Sequence, residues 1–84
     1  KFSFNIKSKH NLKIKHIDNE LINRLARHAG CPEDKAAGIY IYKKRNDFVN
    51  KGDKIMTIYT TSKEKMNYVK NLYKKINKRI VEFY

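Results

Sequence analysis

Little in this sequence can staple the chain or break its backbone. Cys31 is the one cysteine, so no intramolecular disulfide framework is possible. Pro32 is the one proline, and only Gly30, Gly38 and Gly52 can take positive φ without a steric cost. Tryptophan is absent. Acidic residues are scarce, 8 against 20 lysines and arginines, leaving a net charge of +12. That excess attracts acidic partners, nucleic acid or anionic surfaces in general, and carries no information about fold. No apolar run approaches the roughly 18 residues of a membrane span, and no signal-peptide core opens the chain, so no membrane partner is expected. The first residue is Lys1 rather than Met, which suggests a processed chain or one piece of a longer protein.

What is present suffices for one small domain. At 84 residues the chain can bury only about 60% of its unfolded surface, but four Phe and six Tyr supply a modest core and exclude a disordered tail. Phe2, Phe4 and Ile6 alternate with polar residues, as do Leu12 and Ile14 with Lys13 and Lys15. Period two predicts two half-buried strands, and their proximity predicts a hairpin within the first 17 residues.

Asp18 and Asn19 are N-cap types, and Glu20 sits where a helix dipole favours an anion. Leu21, Ile22, Leu25, Ala26 and Ala29 form one apolar stripe, and Gly30 followed by Pro32 stops it. The helix is expected over 19–29. A loop follows from Cys31 to Gly38, then β-branched and aromatic residues 39–42 predict a strand. Residues 44–47 and 50–53 read as turns, with Asn46 and Gly52 suited to positive φ. Phe48-Val49 and 55–59 are extended. Thr61 and Glu64 fit a capping box opening a second helix over about 62–78, its core stripe Met66, Val69, Leu72, Tyr73 and Ile76. Residues 80–84 form a last apolar segment that could join a sheet.

Candidate chemistry is thin. His10, His16, His28 and Cys31 are the transition-metal donors, and Gly30 and Pro32 disrupt the one useful spacing, so no metal is expected. Cys31 has no sequence motif supplying a base and an oxyanion donor. Asp47 and Asp53 lie in turns, where Asp serves local hydrogen bonding. No glycine-rich phosphate loop occurs, and no cofactor is expected. The strongest alternative to an enzyme part is a free-standing basic module that binds nucleic acid through the second helix, with Tyr40, Tyr42, Tyr59, Tyr68 and Tyr73 available for stacking. Against it, no RNA-binding signature, zinc finger or helix-turn-helix spacing is present.

The run from Leu25 to Tyr40, LARHAGCPEDKAAGIY, and that from Lys44 to Tyr59, KRNDFVNKGDKIMTIY, are more specific. Together they resemble the C-terminal domain of the pyrimidine-nucleoside (thymidine) phosphorylase family, most closely its archaeal AMP phosphorylase branch. The resemblance covers about residues 6–76. It implies a small α+β domain of barrel-sandwich or α/β-hammerhead type, with antiparallel strands flanked by two helices. Biotinyl and lipoyl carriers share the turn logic, but no modifiable Lys occupies the expected hairpin tip. Ala36 and Asn46 replace the family's usual glycines, and His10-Asn11 lacks a hairpin glycine.

The resemblance implies a cytoplasmic parent enzyme that cleaves AMP or a pyrimidine nucleoside with phosphate, in nucleotide salvage. Its catalytic residues would lie in preceding domains, so none is expected here. Gly30, Pro32, Gly38, Asn46, Gly52 and Asp53 are expected to act as structural turn and loop positions. The expected partners are the remaining domains of the parent and further copies in a homo-oligomer. Nucleic acid is not the expected partner.

Overall fold

A computed structural model describes residues 2–30 and 35–84. The loop residues Cys31, Pro32, Glu33 and Asp34, and with them the expected role of Pro32, lie outside the described residues. The elements run β1 (Phe2–Lys7), β2 (Leu12–Ile17), α1 (Asn19–Ala29), β3 (Gly38–Ile41), β4 (Phe48–Val49), β5 (Lys54–Thr60), α2 (Lys63–Ile80) and β6 (Val81–Phe83). They form a small α+β domain with two antiparallel three-stranded sheets, ordered β1-β5-β3 and β4-β2-β6.

The expected hairpin of β1 with β2 does not form. β1 pairs with β5, in register from Phe2 opposite Thr60 to Ile6 opposite Met56. β2 instead pairs with β4 through Leu12 and Val49, and with β6 through Ile14 and Phe83. The physical reason lies in the link at Ser8, whose N–H and carbonyl are both used by residues of a distant turn. Ser8 N–H donates to the Asp53 carbonyl and Gly52 N–H to the Ser8 carbonyl, each at 2.9 Å. The chain therefore passes from one sheet to the other at Ser8 instead of folding back on itself.

That arrangement has a twin. In the turn at 44–47, Lys44 N–H donates to Asp47 Oδ2 at 2.8 Å, and Asp47 N–H returns to the Lys44 carbonyl at 3.0 Å. At 50–53, Asn50 N–H donates to Asp53 Oδ2 and Asp53 N–H to the Asn50 carbonyl, both at 2.9 Å. The third residue of each has positive φ, 74° at Asn46 and 92° at Gly52. Asn46 N–H reaches the Ile14 carbonyl and Ile14 N–H the Asp47 carbonyl, each at 2.8 Å, which repeats the bonding at Ser8. Val49, between the two turns, is fully buried.

Helix α1 follows its sequence signals. Leu21 N–H donates to the N-cap Asp18 Oδ1 at 3.1 Å, and Gly30 N–H bonds back to the carbonyls of Ala26 and Arg27. Leu21, Ile22, Leu25 and Ala29 are buried, as the stripe requires. Helix α2 departs at both ends from the expected span. Its N-cap is Ser62, whose Oγ accepts from Lys65 N–H at 3.3 Å, not Thr61. Its last turn continues to Ile80 because no glycine or proline stops it, and Val81 at φ −131° passes straight into β6.

The two helices pack on the sheets over one core that includes Ile6, Ile14, Leu25, Val49, Met56, Ile58, Val69 and Ile80. Thr60, wholly buried in β5, donates its hydroxyl to the Ala29 carbonyl at 2.9 Å, tying α1's last turn to the sheet. Among the described residues, no helix is long and apolar enough to cross a membrane.

Candidate functional site

The sheet β1-β5-β3 has one face on the core and one turned outward. Side chains alternate along a strand, so the register decides what shares the outer face. Asn5 lies opposite Thr57, and Tyr40 lies opposite Thr57 from the other side. The pairing continues past β3, where Tyr42 N–H donates to the Ile55 carbonyl at 2.9 Å. Asn5, Tyr40, Tyr42, Thr57 and Tyr59 thus gather on one surface.

Their polar atoms are joined. Thr57 Oγ1 lies 2.8 Å from Asn5 Oδ1 and 3.0 Å from the Tyr42 hydroxyl. Thr57 itself is only 2% exposed, so its hydroxyl is screened from solvent by its partners. Tyr42 hydrogen-bonds with Thr57 and with Tyr59, and these bonds, assisted by the charge of Lys54, hold its pKa below the ordinary 10.0. The same Tyr42 contact, with some desolvation, pushes Tyr59 above it. Lys54 Nζ sits 6.0 Å from the Tyr42 ring centroid, and the Tyr40 and Tyr42 rings meet edge to face at 4.8 Å.

Above this network the surface is apolar in bulk. Tyr40 and Tyr42 are 56% and 41% exposed on this face, two large side chains left uncovered. Aromatic residues with a polar handle are enriched where proteins meet proteins. A recess of about 300 Å³ lined by Lys35, Ala37, Gly38, Tyr40 and Tyr59 extends the surface. The arrangement offers shape and hydrogen bonding to a partner, and no nucleophile with a base.

The residues singled out in the sequence do not converge on one site. Gly30 ends α1, Gly38 begins β3, and Asn46, Gly52 and Asp53 belong to the paired turns. Among the described residues no group of three or more His, Cys, Asp or Glu could hold a metal ion. His28 packs against Tyr68 with the rings tilted at 44° and centroids 4.7 Å apart, and Cys31 lies outside the described residues. On α2, Lys63, Lys70, Lys74 and Lys78 are exposed, a solvated face opposite buried Met66, Val69 and Ile76.

A sequence profile of the pyrimidine nucleoside phosphorylase C-terminal domain matches residues 13–79. The chain belongs to that family. The match takes in both turns, α1, β3, β4 and β5 entire, and β2 and α2 but for one end residue each. Among relatives, the AMP phosphorylase of Methanococcus aeolicus is 40% identical over 70 residues, covering 83% of this chain and 14% of its own length. The AMP phosphorylase of Methanosarcina mazei is 42% identical over 69 residues, again 82% of this chain and 14% of the relative. AMP phosphorylase 2 of Archaeoglobus fulgidus is 43% identical over 54 residues, 64% of this chain and 11% of its own length. The chain thus spans about a seventh of the length of the Methanococcus and Methanosarcina relatives.

The Asn5–Thr57–Tyr42 network was not legible beforehand, because Asn5 and Thr57 are 52 residues apart in sequence. The usable signal was the alternation that set Asn5 and the tyrosines on polar strand faces.

Proposed function

We propose that this chain is the C-terminal assembly domain of an AMP phosphorylase. The reading rests on one observation: identity near 40% with proteins of that name runs through most of this chain, while the chain accounts for only 14% of their length. The parent would be a pentosyltransferase of nucleotide salvage in the cytoplasm, moving the ribosyl 5-phosphate of AMP from adenine to inorganic phosphate. Its reacting groups would sit in the other domains. This segment's contribution is packing: the Tyr40–Tyr42 face docks on the remainder of the parent, supports the cleft and contributes to a homo-oligomer. Gly30, Gly38, Asn46, Gly52 and Asp53 shape helix end, strand start and turns and take no part in chemistry.

The test is phosphate-dependent adenine release from AMP, by the full-length parent and by the 84-residue chain alone. The parent should release adenine and the chain should release none. Release by the chain would refute its silence, and a full-length protein inert on AMP but active on uridine or thymidine would refute the substrate. In the full-length protein, Tyr40→Glu with Tyr42→Glu should lower the sedimentation-measured assembly or the retention of activity on heating. An unchanged result would remove the docking face from the proposal.

A further inference from the structure

A second surface stands apart from the tyrosine face. Between the link joining β1 to β2, the C-terminal half of α2, and β6 lies a groove of about 580 Å³, within the size range of small-molecule sites. Its floor is apolar: Ile6, Ile55 and Val81 are buried, with Leu12 half-buried beside them. One wall, from α2 and β6, carries the rings of Tyr73, Phe83 and Tyr84 and the amide of Asn77. The second wall, from the end of β1 and the link, carries the exposed cations Lys7 and Lys9 with His10. Lys78 adds a third ammonium, and Glu82 is the one carboxylate side chain lining the groove.

The two walls differ in what they can bind. The last carbonyls of α2 present the negative end of its dipole, which disfavours an anion on that side despite Lys78. An anion belongs on the link wall, and that wall is held in place. Besides the two backbone bonds of Ser8, its hydroxyl donates to the His10 carbonyl at 2.6 Å, and Lys51 N–H donates to Asn11 Oδ1 at 2.7 Å. A wall already ordered loses little entropy when a ligand arrives. On the ring wall Tyr73 packs edge to face on Phe4 at 5.6 Å, and Tyr84, its backbone N–H bonded to the Lys13 carbonyl at 3.0 Å, has Lys13 Nζ and Lys15 Nζ each 5.9 Å from its ring centroid. Aromatic rings offer a planar heterocycle a stacking surface.

From these two walls across an apolar floor we propose that the groove binds a mononucleotide. The phosphate sits on Lys7, Lys9 and His10, and the base lies among Tyr73, Phe83 and Tyr84, with the Asn77 amide at its edge. The site is distinct from the phosphorolysis cleft proposed above, whose reacting groups would sit in the other domains.

The probe is AMP, titrated into the ¹⁵N-labelled 84-residue chain, with adenosine, ribose 5-phosphate and inorganic phosphate as separate arms. Saturable shifts confined to the amides of residues 7–12 and 77–84, with adenosine and inorganic phosphate each at least about tenfold weaker, are expected because each supplies half of the recognition. Lys7→Gln with Lys9→Gln should weaken AMP by roughly tenfold and leave adenosine unchanged. Tyr84→Ala should weaken AMP and leave ribose 5-phosphate unchanged. Both variants change exposed side chains, and an unchanged thermal midpoint confirms that the fold is retained. The proposal fails if AMP gives no saturable shift, if inorganic phosphate matches AMP in affinity and affected residues, or if the shifts fall on Lys63, Lys70 and Lys74 of α2 instead. None of these outcomes depends on whether the parent is active.

Discussion

Asn46 and Gly52 hold equivalent places in the paired turns, with φ of 74° and 92°. The left-handed region costs an ordinary L-residue roughly 1–2 kcal/mol, Asn less, and Gly nothing. A Cβ on Gly52 would meet no atom within 4 Å, so the cost of substitution there is purely backbone. Gly52→Ala is therefore expected to lose about 1 kcal/mol in urea unfolding, and Gly52→Asn, which copies the other turn, to lose less. Equal losses for Ala and Asn would show that side-chain tolerance of positive φ is not what matters. Asn46 reveals how far a family pattern can be read through a departure: the glycine is missing, but the chemistry that replaces it is visible in the sequence. The hydroxyl network is the opposite case. No local rule joins Asn5 to Thr57, because their partnership exists only after β1 and β5 pair.

The elements show the same division. Helix α1 was legible to the residue, since Asp18 and Gly30 each supply a bond that only a helix end needs. Helix α2 was less so. Thr61 and Ser62 are both capping types, and only the structure distinguishes them. Ser62→Ala is expected to cost about 1 kcal/mol through loss of the bond to Lys65 N–H, as is Asp18→Ala at α1. An unfolding midpoint unmoved by Ser62→Ala would show that the bond is not contributing. The strand pairings were the least legible: alternation identified β1 and β2 as strands, but alternation says nothing about partners. Adjacent strands form hairpins often enough to mislead, and here Ser8 is already engaged with Gly52 and Asp53.

For the whole molecule, three tyrosines carry ionisations that report on folding. Burial raises the Tyr73 pKa above 10.0, and Tyr59 is raised through Tyr42, while Tyr42 is lowered. A raised acid stabilises the fold fully below its unfolded pKa and loses that contribution as pH climbs through the folded value. The lowered Tyr42 works in the other sense, its contribution present above 10.0 and lost as pH falls through its folded pKa, so it offsets Tyr59. Tyr73 and Tyr59 therefore both contribute to an alkaline loss above about pH 10, with Tyr42 acting against them. Comparing thermal midpoints of the wild type and Tyr73→Phe across pH 8 to 11 should show a flatter alkaline limb in the variant. Parallel limbs would assign the loss elsewhere, for instance to lysine deprotonation.

The strand order has a kinetic consequence. Phe2 finds its partner at Thr60, and Ile14 finds one at Phe83, so both sheets close across most of the chain's length. Pairings this distant in sequence must overcome loop-closure entropy before they return any stability, which slows folding relative to a helical chain of equal size. On a ribosome, β2 emerges long before β6, and its edge stays open until α2 has been made. Until then the exposed row of N–H and C=O groups along Leu12–Ile17 is the chain's main hazard for pairing with a neighbour. The lysines at 13 and 15, which contribute nothing to the finished core, guard that edge while it waits.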